Sequence, residues 1–261
     1  MTPADLSLAA SLLRQHALAR SRMASLAESS QPADRAEGYA IQAAVTALND
    51  APRVAWKIAA TSTAGQAHIG VDGPLGGPYL QDRVLAPGAA VPLAGNAMNV
   101  AEVEFAFRMC ADLPPRAAPY TLDETMAAVC ALHPAIEIPD SRYQDFVRVG
   151  APALIADAAC AGWLVIGPPA PEAWRSLDLA AHTVSAAIDG QTVAQGSGAA
   201  ALGDPRVALT WLANELRVYG PGLAAGEWIS TGTCVVPVPV REGIAFQADY
   251  GLLGRLSITL V

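Results

Sequence analysis

The stretch Ala101-Glu-Val-Glu-Phe-Ala-Phe-Arg-Met109 sets two carboxylates two residues apart in an alternating pattern. Val103, Phe105, Phe107 and Met109 alternate with Glu102, Glu104, Ala106 and Arg108, which predicts a β-strand. Side chains at i and i+2 of a strand share a face, so Glu102 and Glu104 project together, opposite an apolar row. Like charges that close disfavour one another unless a cation sits between them. A third carboxylate, Glu137, stands between two isoleucines in Ala135-Ile-Glu-Ile-Pro139. Three strand-borne carboxylates make an oxygen-ligand set for a hard divalent ion such as Mg²⁺ or Mn²⁺. The same spacing also fits glutamates on a solvated sheet face.

Lys57 is the other residue that stands out. Of sixteen basic residues it is the only lysine; the rest are arginine. A desolvated lysine can give up its proton, whereas arginine in practice cannot. Coding bias with one lysine left by chance is the alternative. Val54-Ala-Trp-Lys-Ile-Ala59 is predicted as a strand, with Val54, Trp56 and Ile58 on one face and Lys57 opposite, between two alanines. Small neighbours leave room for a ligand beside the amine.

The elements that must position these groups follow from pattern and punctuation. Thr2-Pro3-Ala4-Asp5 is a helix start, and the helix is expected to run to about Leu26. A second is expected from about Ala33 to Leu48. Gly70 to Pro78 reads as a loop dense in turn formers. Thr121 to Glu124 opens a helix to about Leu132, and a short helix from Pro152 reaches Cys160. Trp163 to Ile166 reads as a buried strand, and Asp189-Gly190 as a hairpin turn. Asp204-Pro205 caps a helix to about Val218, and the remainder is β. Helices come first, then short strands with inserted helices, which predicts an α+β fold rather than a βαβ alternation. The expected division is residues 1–82, helical with the Lys57 strand and the Gly-rich loop, and 83–261, a mixed-β catalytic part. Gly196-x-Gly198 faintly resembles a dinucleotide loop, but no βαβ unit surrounds it.

Composition narrows the function classes. The chain has 261 residues, of which 52% are hydrophobic, enough for a sizeable core. Its net charge of −8 argues against a nucleic-acid partner. No apolar run reaches the roughly 18 residues needed to span a bilayer, and the N-terminal residues lack the order of a secretory signal. A cytoplasmic protein without a membrane partner is therefore expected. Cys110, Cys130, Cys160 and Cys234 show no metal or redox spacing and read as reduced and mostly buried. Trp56 and Trp211 read as core residues.

Several motifs occur in order along nearly the whole chain. They are Trp56-Lys-Ile-Ala-Ala-Thr-Ser62, Gly70-Val-Asp-Gly-Pro74, Ala101-Glu-Val-Glu104, Pro134-Ala-Ile-Glu-Ile-Pro-Asp-Ser-Arg142, Ala156-Asp157, Gly203-Asp-Pro205, Trp211-Leu-Ala-Asn214 and Thr231-Gly-Thr233. Together they resemble the fumarylacetoacetate hydrolase superfamily, in its 2-keto-4-pentenoate hydratase and 4-oxalocrotonate decarboxylase branch. The resemblance implies N-terminal helices followed by a mixed-β roll or barrel core, assembled as a homo-oligomer. It implies Mg²⁺ or Mn²⁺ on Glu102, Glu104 and Glu137, and Lys57 as the catalytic acid/base with a lowered pKa. It further implies substrate contacts from Ser62, Leu75, Cys160 and Thr233. The substrate would be a small 2-hydroxydienoic or 2-oxo acid from aromatic-compound breakdown, with hydration to a 4-hydroxy-2-oxo acid as the expected reaction.

Two departures bear on that reaction. Leu75 stands where the hydratases are expected to carry an acidic residue, and neither Asp72 nor Asp82 is in register with it. Asp157-Ala-Ala-Cys160 replaces an Asp-Asn-Ala-Ser pattern. Both remove polar groups near the attacking water and favour a 2-oxo acid decarboxylase. A C–C bond hydrolase would want a His–Glu pair, for which His68 and His133 qualify by residue type only. A catalytically silent acid-binding scaffold is the remaining alternative. Arg142 is expected to pair with Asp140.

Overall fold

A computed structural model describes all 261 residues. Thr2 caps α1 (Pro3–Ala19) through its side chain, with Pro3 at the first helical position. The helix ends at Arg20 in a left-handed conformation, well short of the expected stop near Leu26. Asp34 caps α2 (Arg35–Ala47) in the same way. The chain continues through β1 (Arg53–Ala59), α3 (Thr63–His68), β2 (Leu75–Leu80), β3 (Val84–Leu85), β4 (Ala90–Val91) and β5 (Val100–Met109). Then come α4 (Leu122–Ala127), β6 (Val129–Ile138), α5 (Ala151–Ala156), β7 (Trp163–Ile166), β8 (Thr183–Ile188) and β9 (Gln191–Ser197). The last elements are α6 (Pro205–Tyr219), β10 (Trp228–Thr233), β11 (Val238–Pro239), β12 (Ala245–Asp249) and β13 (Arg255–Leu260).

The strands form two mixed sheets, as an α+β fold requires. The larger runs in the order β2-β1-β10-β5-β6-β7-β3, with β11 also on β5; the smaller runs β4-β13-β12-β8-β9. The larger sheet draws on both segments 1–82 and 83–261. Its β1 pairs in parallel with β10, which in turn pairs antiparallel with β5. The two faces of this sheet differ. Val103, Phe105, Phe107, Ile136 and Ile138 join the main core with Leu209 and Leu212 of α6 and Phe246 of β12. The opposite face carries a small cluster of Ala55, Tyr79, Ala106, Ala135, Leu164 and Ile166.

Several expectations are corrected. The helix opened by Thr121 stops at Ala127, and residues 129–138 form a strand. The β-branched and apolar run from Val129 pairs along almost the whole of β5, and that pairing outweighs helix propensity. Part of the Gly-rich loop is strand β2; its Pro78 is tolerated because β2 lies at the sheet edge. The stretch Cys234 to Val240 contributes only β11. Asp140 pairs with Arg22 at 2.7 Å, while Arg142 pairs with Asp157. Trp56 is buried as expected, but Trp211 is only half-buried.

The cysteine expectation also fails in part. Cys110, just past β5, and Cys130, at the start of β6, meet where the two paired strands begin to diverge, with Cα atoms 5.5 Å apart, and form a disulfide, while Cys160 and Cys234 are free and buried. Strand pairing, not sequence spacing, brings the two together. The bond closes a 20-residue separation, for which chain entropy gives about 3 kcal/mol. Cys110→Ser is expected to lower the melting temperature of the oxidised protein and to match the parent in dithiothreitol. A deficit that persists under reduction would assign the effect to packing instead.

Candidate active site

The pairing of β5 with β6 sets Glu102 opposite Glu137 and Glu104 opposite Ala135. Opposed residues share a face, so all three carboxylates converge at one end of the strands. One oxygen of each lies within 4.8 Å of the others. Glu104 and Glu137 are fully buried and Glu102 half-buried. Lys57, on β1, lies opposite Ser230 on β10, one strand from Glu104. Its Nζ is 2.5 Å from Glu137 Oε1.

Each buried carboxylate has one oxygen tied down and one left open. The Tyr79 hydroxyl donates to Glu137 Oε1 at 2.9 Å, alongside Lys57. Glu104 Oε2 accepts from the Ser230 hydroxyl and, at 2.9 Å, from the Gly232 N–H. A register shift between Ser230 and Thr233 turns that N–H inward. The shift needs glycine: φ is +99°, and a Cβ would sit 2.2 Å from Thr61 Oγ1. Glu104 Oε1 and Glu137 Oε2 are buried with no hydrogen-bond partner. Two unpartnered carboxylate oxygens in an oxygen-only, negatively charged cluster fit a hard divalent cation.

The electrostatics agree. Burial, reinforced by the Glu137 charge, pushes Glu102 up to about 7 and Glu104 well above the carboxylate range. Burial also pulls on Lys57, but the Glu137 carboxylate, then Glu102, outweigh it and hold the amine above its ordinary value. For the metal-free cluster this direction is opposite to the lowered value expected of Lys57.

A strained turn closes the site beside Lys57. Ala158, Ala159 and Cys160 are consecutive left-handed residues, with φ of +52°, +49° and +62°. Such backbone costs about 1–3 kcal/mol per residue and persists only where surroundings enforce it. Buried Asp157 does so by accepting from the Ser141 hydroxyl at 2.7 Å, the Arg142 N–H at 3.0 Å and the Arg142 guanidinium. Gly77, opposite Lys57, lets the turn cross β2, since a Cβ there would meet the Ala158 carbonyl oxygen at 1.9 Å. Burial, then the Asp157 charge, pushes the Cys160 thiol up to about 12. It stays protonated and is no nucleophile.

The remaining candidates fall as follows. Leu75 is fully buried opposite Ala59, two residues from Gly77 on β2. The Ser62 hydroxyl caps α3 by accepting from the Gly65 N–H. The Thr233 hydroxyl donates to the Val235 carbonyl at 2.8 Å, so both hydroxyls serve backbone. His68 is exposed and packs against Phe146. His133 is hydrogen-bonded to the Gly167 carbonyl, four residues along β6 from Glu137, roughly 13 Å at strand rise. Neither histidine is paired with a carboxylate. Sequence reasoning missed Tyr79, Ser230 and Gly232. Their local pattern does not single them out as partners of the carboxylates.

No family model matches the chain. It is 32% identical to a 2-keto-4-pentenoate hydratase of Burkholderia vietnamiensis over 257 residues, covering 97% of this chain and 96% of that protein. The structure of 4-oxalocrotonate decarboxylase from Pseudomonas putida G7, complexed with magnesium and adipate, superposes with a TM-score of 0.89. It covers 100% of this chain and 99% of that one at 25% identity. A fumarylpyruvate hydrolase from Pseudomonas aeruginosa, in complex with Mn²⁺ and pyruvate, shares the fold at a TM-score of 0.57 and 16% identity, covering 82% of this chain and 92% of that one. The fold is thus one that also occurs in fumarylpyruvate hydrolase. The chain belongs to the family of 2-keto-4-pentenoate hydratases and 4-oxalocrotonate decarboxylases.

The raised carboxyls set a pH dependence for protein stripped of metal by chelation. Glu102 releases its proton at about 7 in the fold and near 4.5 when unfolded, so the folded state binds more protons between those values. Stability is then highest below the unfolded value and declines as pH rises through the folded one. Melting temperature should fall between about pH 5 and about pH 8, less so in Glu102→Gln/Glu104→Gln, and added Mg²⁺ should reverse the loss in the parent. Parent and variant profiles of equal slope would contradict this account.

Proposed function

We propose that this protein is a divalent-metal-dependent hydratase acting on small 2-hydroxy-2,4-dienoic acids in aromatic-compound breakdown. The observation that carries the reading is the convergence of Glu102, Glu104 and Glu137 beside the chain's only lysine. The full-length similarity to a 2-keto-4-pentenoate hydratase supports the same substrate class. Glu102, Glu104 and Glu137 would hold Mg²⁺ or Mn²⁺. When bound, the ion supplies a Lewis acid for the C1 carboxylate and C2 oxygen of the substrate.

Lys57 supplies the mobile proton. Ion-paired with Glu137 at 2.5 Å, it enters the reaction as an acid. In ketonisation the 2-hydroxyl loses its proton, the chain's double bonds shift, and C5 gains a proton. Water then adds across C3 and C4, its oxygen to C4 and its hydrogen to C3, leaving a 4-hydroxy-2-oxo acid. Tyr79 orients Glu137, and through it the lysine, by its 2.9 Å hydrogen bond. Leu75 and Cys160 wall the substrate pocket, while Ser62 and Thr233 shape its backbone rim. The reading also assigns the protein to the cytoplasm as a homo-oligomer. No helix is long and apolar enough to cross a membrane.

A second reading, a 2-oxo acid decarboxylase, is favoured by one feature. Leu75 is apolar and fully buried where a water-activating acid is expected. Loss of 2-hydroxydienoate absorbance with Mg²⁺, followed by mass analysis of products, separates the readings. A 4-hydroxy-2-oxo acid is the expected product. CO₂ release means the decarboxylase, two shorter acids a C–C hydrolase, and no turnover with metal bound a silent scaffold. Lys57→Met should lower turnover by about 10²- to 10⁴-fold while Mg²⁺ still binds. Full turnover by that variant removes Lys57 from the chemistry.

A further inference from the structure

A cavity of about 150 Å³ lies between α1, α2 and the segments following β4 and β6. It is a different place from the carboxylate cluster: neither Lys57 nor the three glutamates line it, and Tyr79 stands between the two. Five arginines line it, Arg14, Arg20, Arg22, Arg83 and Arg142, against three aspartates, Asp82, Asp140 and Asp157. That is a local excess of positive charge in a chain of net charge −8. Arg142 and Arg22 are neutralised by Asp157 and Asp140. Arg14 has no carboxylate partner, Arg20 reaches only the Ala94 carbonyl at 3.5 Å, and Arg83 lies 4.0 Å from exposed Asp82 while stacking on Trp163. The Nε atoms of Arg14 and Arg22 are buried donors with no acceptor. Leaving a buried donor unpartnered is unfavourable, and an acceptor in the cavity would remove that penalty.

We propose that this cavity is a second ligand site, taking a small doubly charged oxyanion, inorganic phosphate or a short dicarboxylate. Its volume is well below the roughly 300 Å³ at which pockets for larger organic ligands begin. Guanidinium groups are suited to multi-oxygen anions because they present several donors in one plane. Burial, together with repulsion from Arg142 and Arg20, pushes Arg83 below its ordinary value despite Asp82. An anion between these groups relieves the repulsion.

The test is calorimetric titration of the Mg²⁺-loaded full chain with sodium phosphate and, in parallel, with succinate, at matched ionic strength. Saturable 1:1 binding of at least one probe is expected, and which probe binds identifies the source. Arg14→Gln combined with Arg83→Gln should weaken that binding about tenfold or more. Glu104→Gln, which disrupts the carboxylate cluster, should leave it unchanged. If the double variant does not melt cooperatively, Arg20→Ser, altered at an exposed side chain, must weaken binding in the same direction. Absence of saturable binding, survival of full affinity in the arginine variants, or loss of binding in Glu104→Gln each overturns the proposal.

Discussion

Taking a carboxylate out of water carries a penalty of several kcal/mol unless a partner compensates it. This fold buries Glu104 and Glu137 completely, shelters Glu102 beside them, and supplies one amine. The neighbouring groups can be understood from that imbalance. Ser230, the Gly232 N–H, Tyr79 and Lys57 each bind one oxygen, fixing the carboxylates in orientation. None reaches Glu104 Oε1 or Glu137 Oε2. The donors satisfy enough to hold the side chains still and leave the inward oxygens for a ligand. The alanines that share this face, Ala55, Ala106 and Ala135, keep bulk away from the cluster.

A second layer keeps this arrangement rigid. Breaking a buried ion pair by removing one partner costs about 3–5 kcal/mol, and Arg142–Asp157 is such a pair. It fixes the turn carrying Cys160, whose left-handed backbone would otherwise relax. The turn in turn depends on Gly77, which lets the Ala158 carbonyl lie against β2. The strain in this turn is thus held from both sides.

Much of this was legible in the sequence because its signals are local. Alternation over residues 101–109 put Glu102 and Glu104 on one face, and two flanking isoleucines singled out Glu137. A skewed composition isolated Lys57. Helix starts were readable at Thr2, Thr121 and Asp204, where a side chain caps its own backbone. What failed depends on partners distant in sequence. The strand from Val129 is decided by β5, the Cys110–Cys130 bond by strand register, and the choice of Asp157 over Asp140 for Arg142 by a turn outside its own segment. Nothing local marks Tyr79 or Ser230 until register sets one against Glu137 and the other against Glu104.

The parallel pairing of β1 with β10 sets Lys57 next to Ser230, with most of the chain between them. Such a contact raises contact order and slows folding, because a long loop must close before it is made. Synthesis is vectorial, so the lysine strand leaves the ribosome long before β10 exists to flank it. Until then a sheet edge stays open, and Glu104 lacks the hydroxyl and amide that later hold it. The nascent chain therefore acquires its reactive centre only once β10 has emerged, together with the closing of its largest sheet.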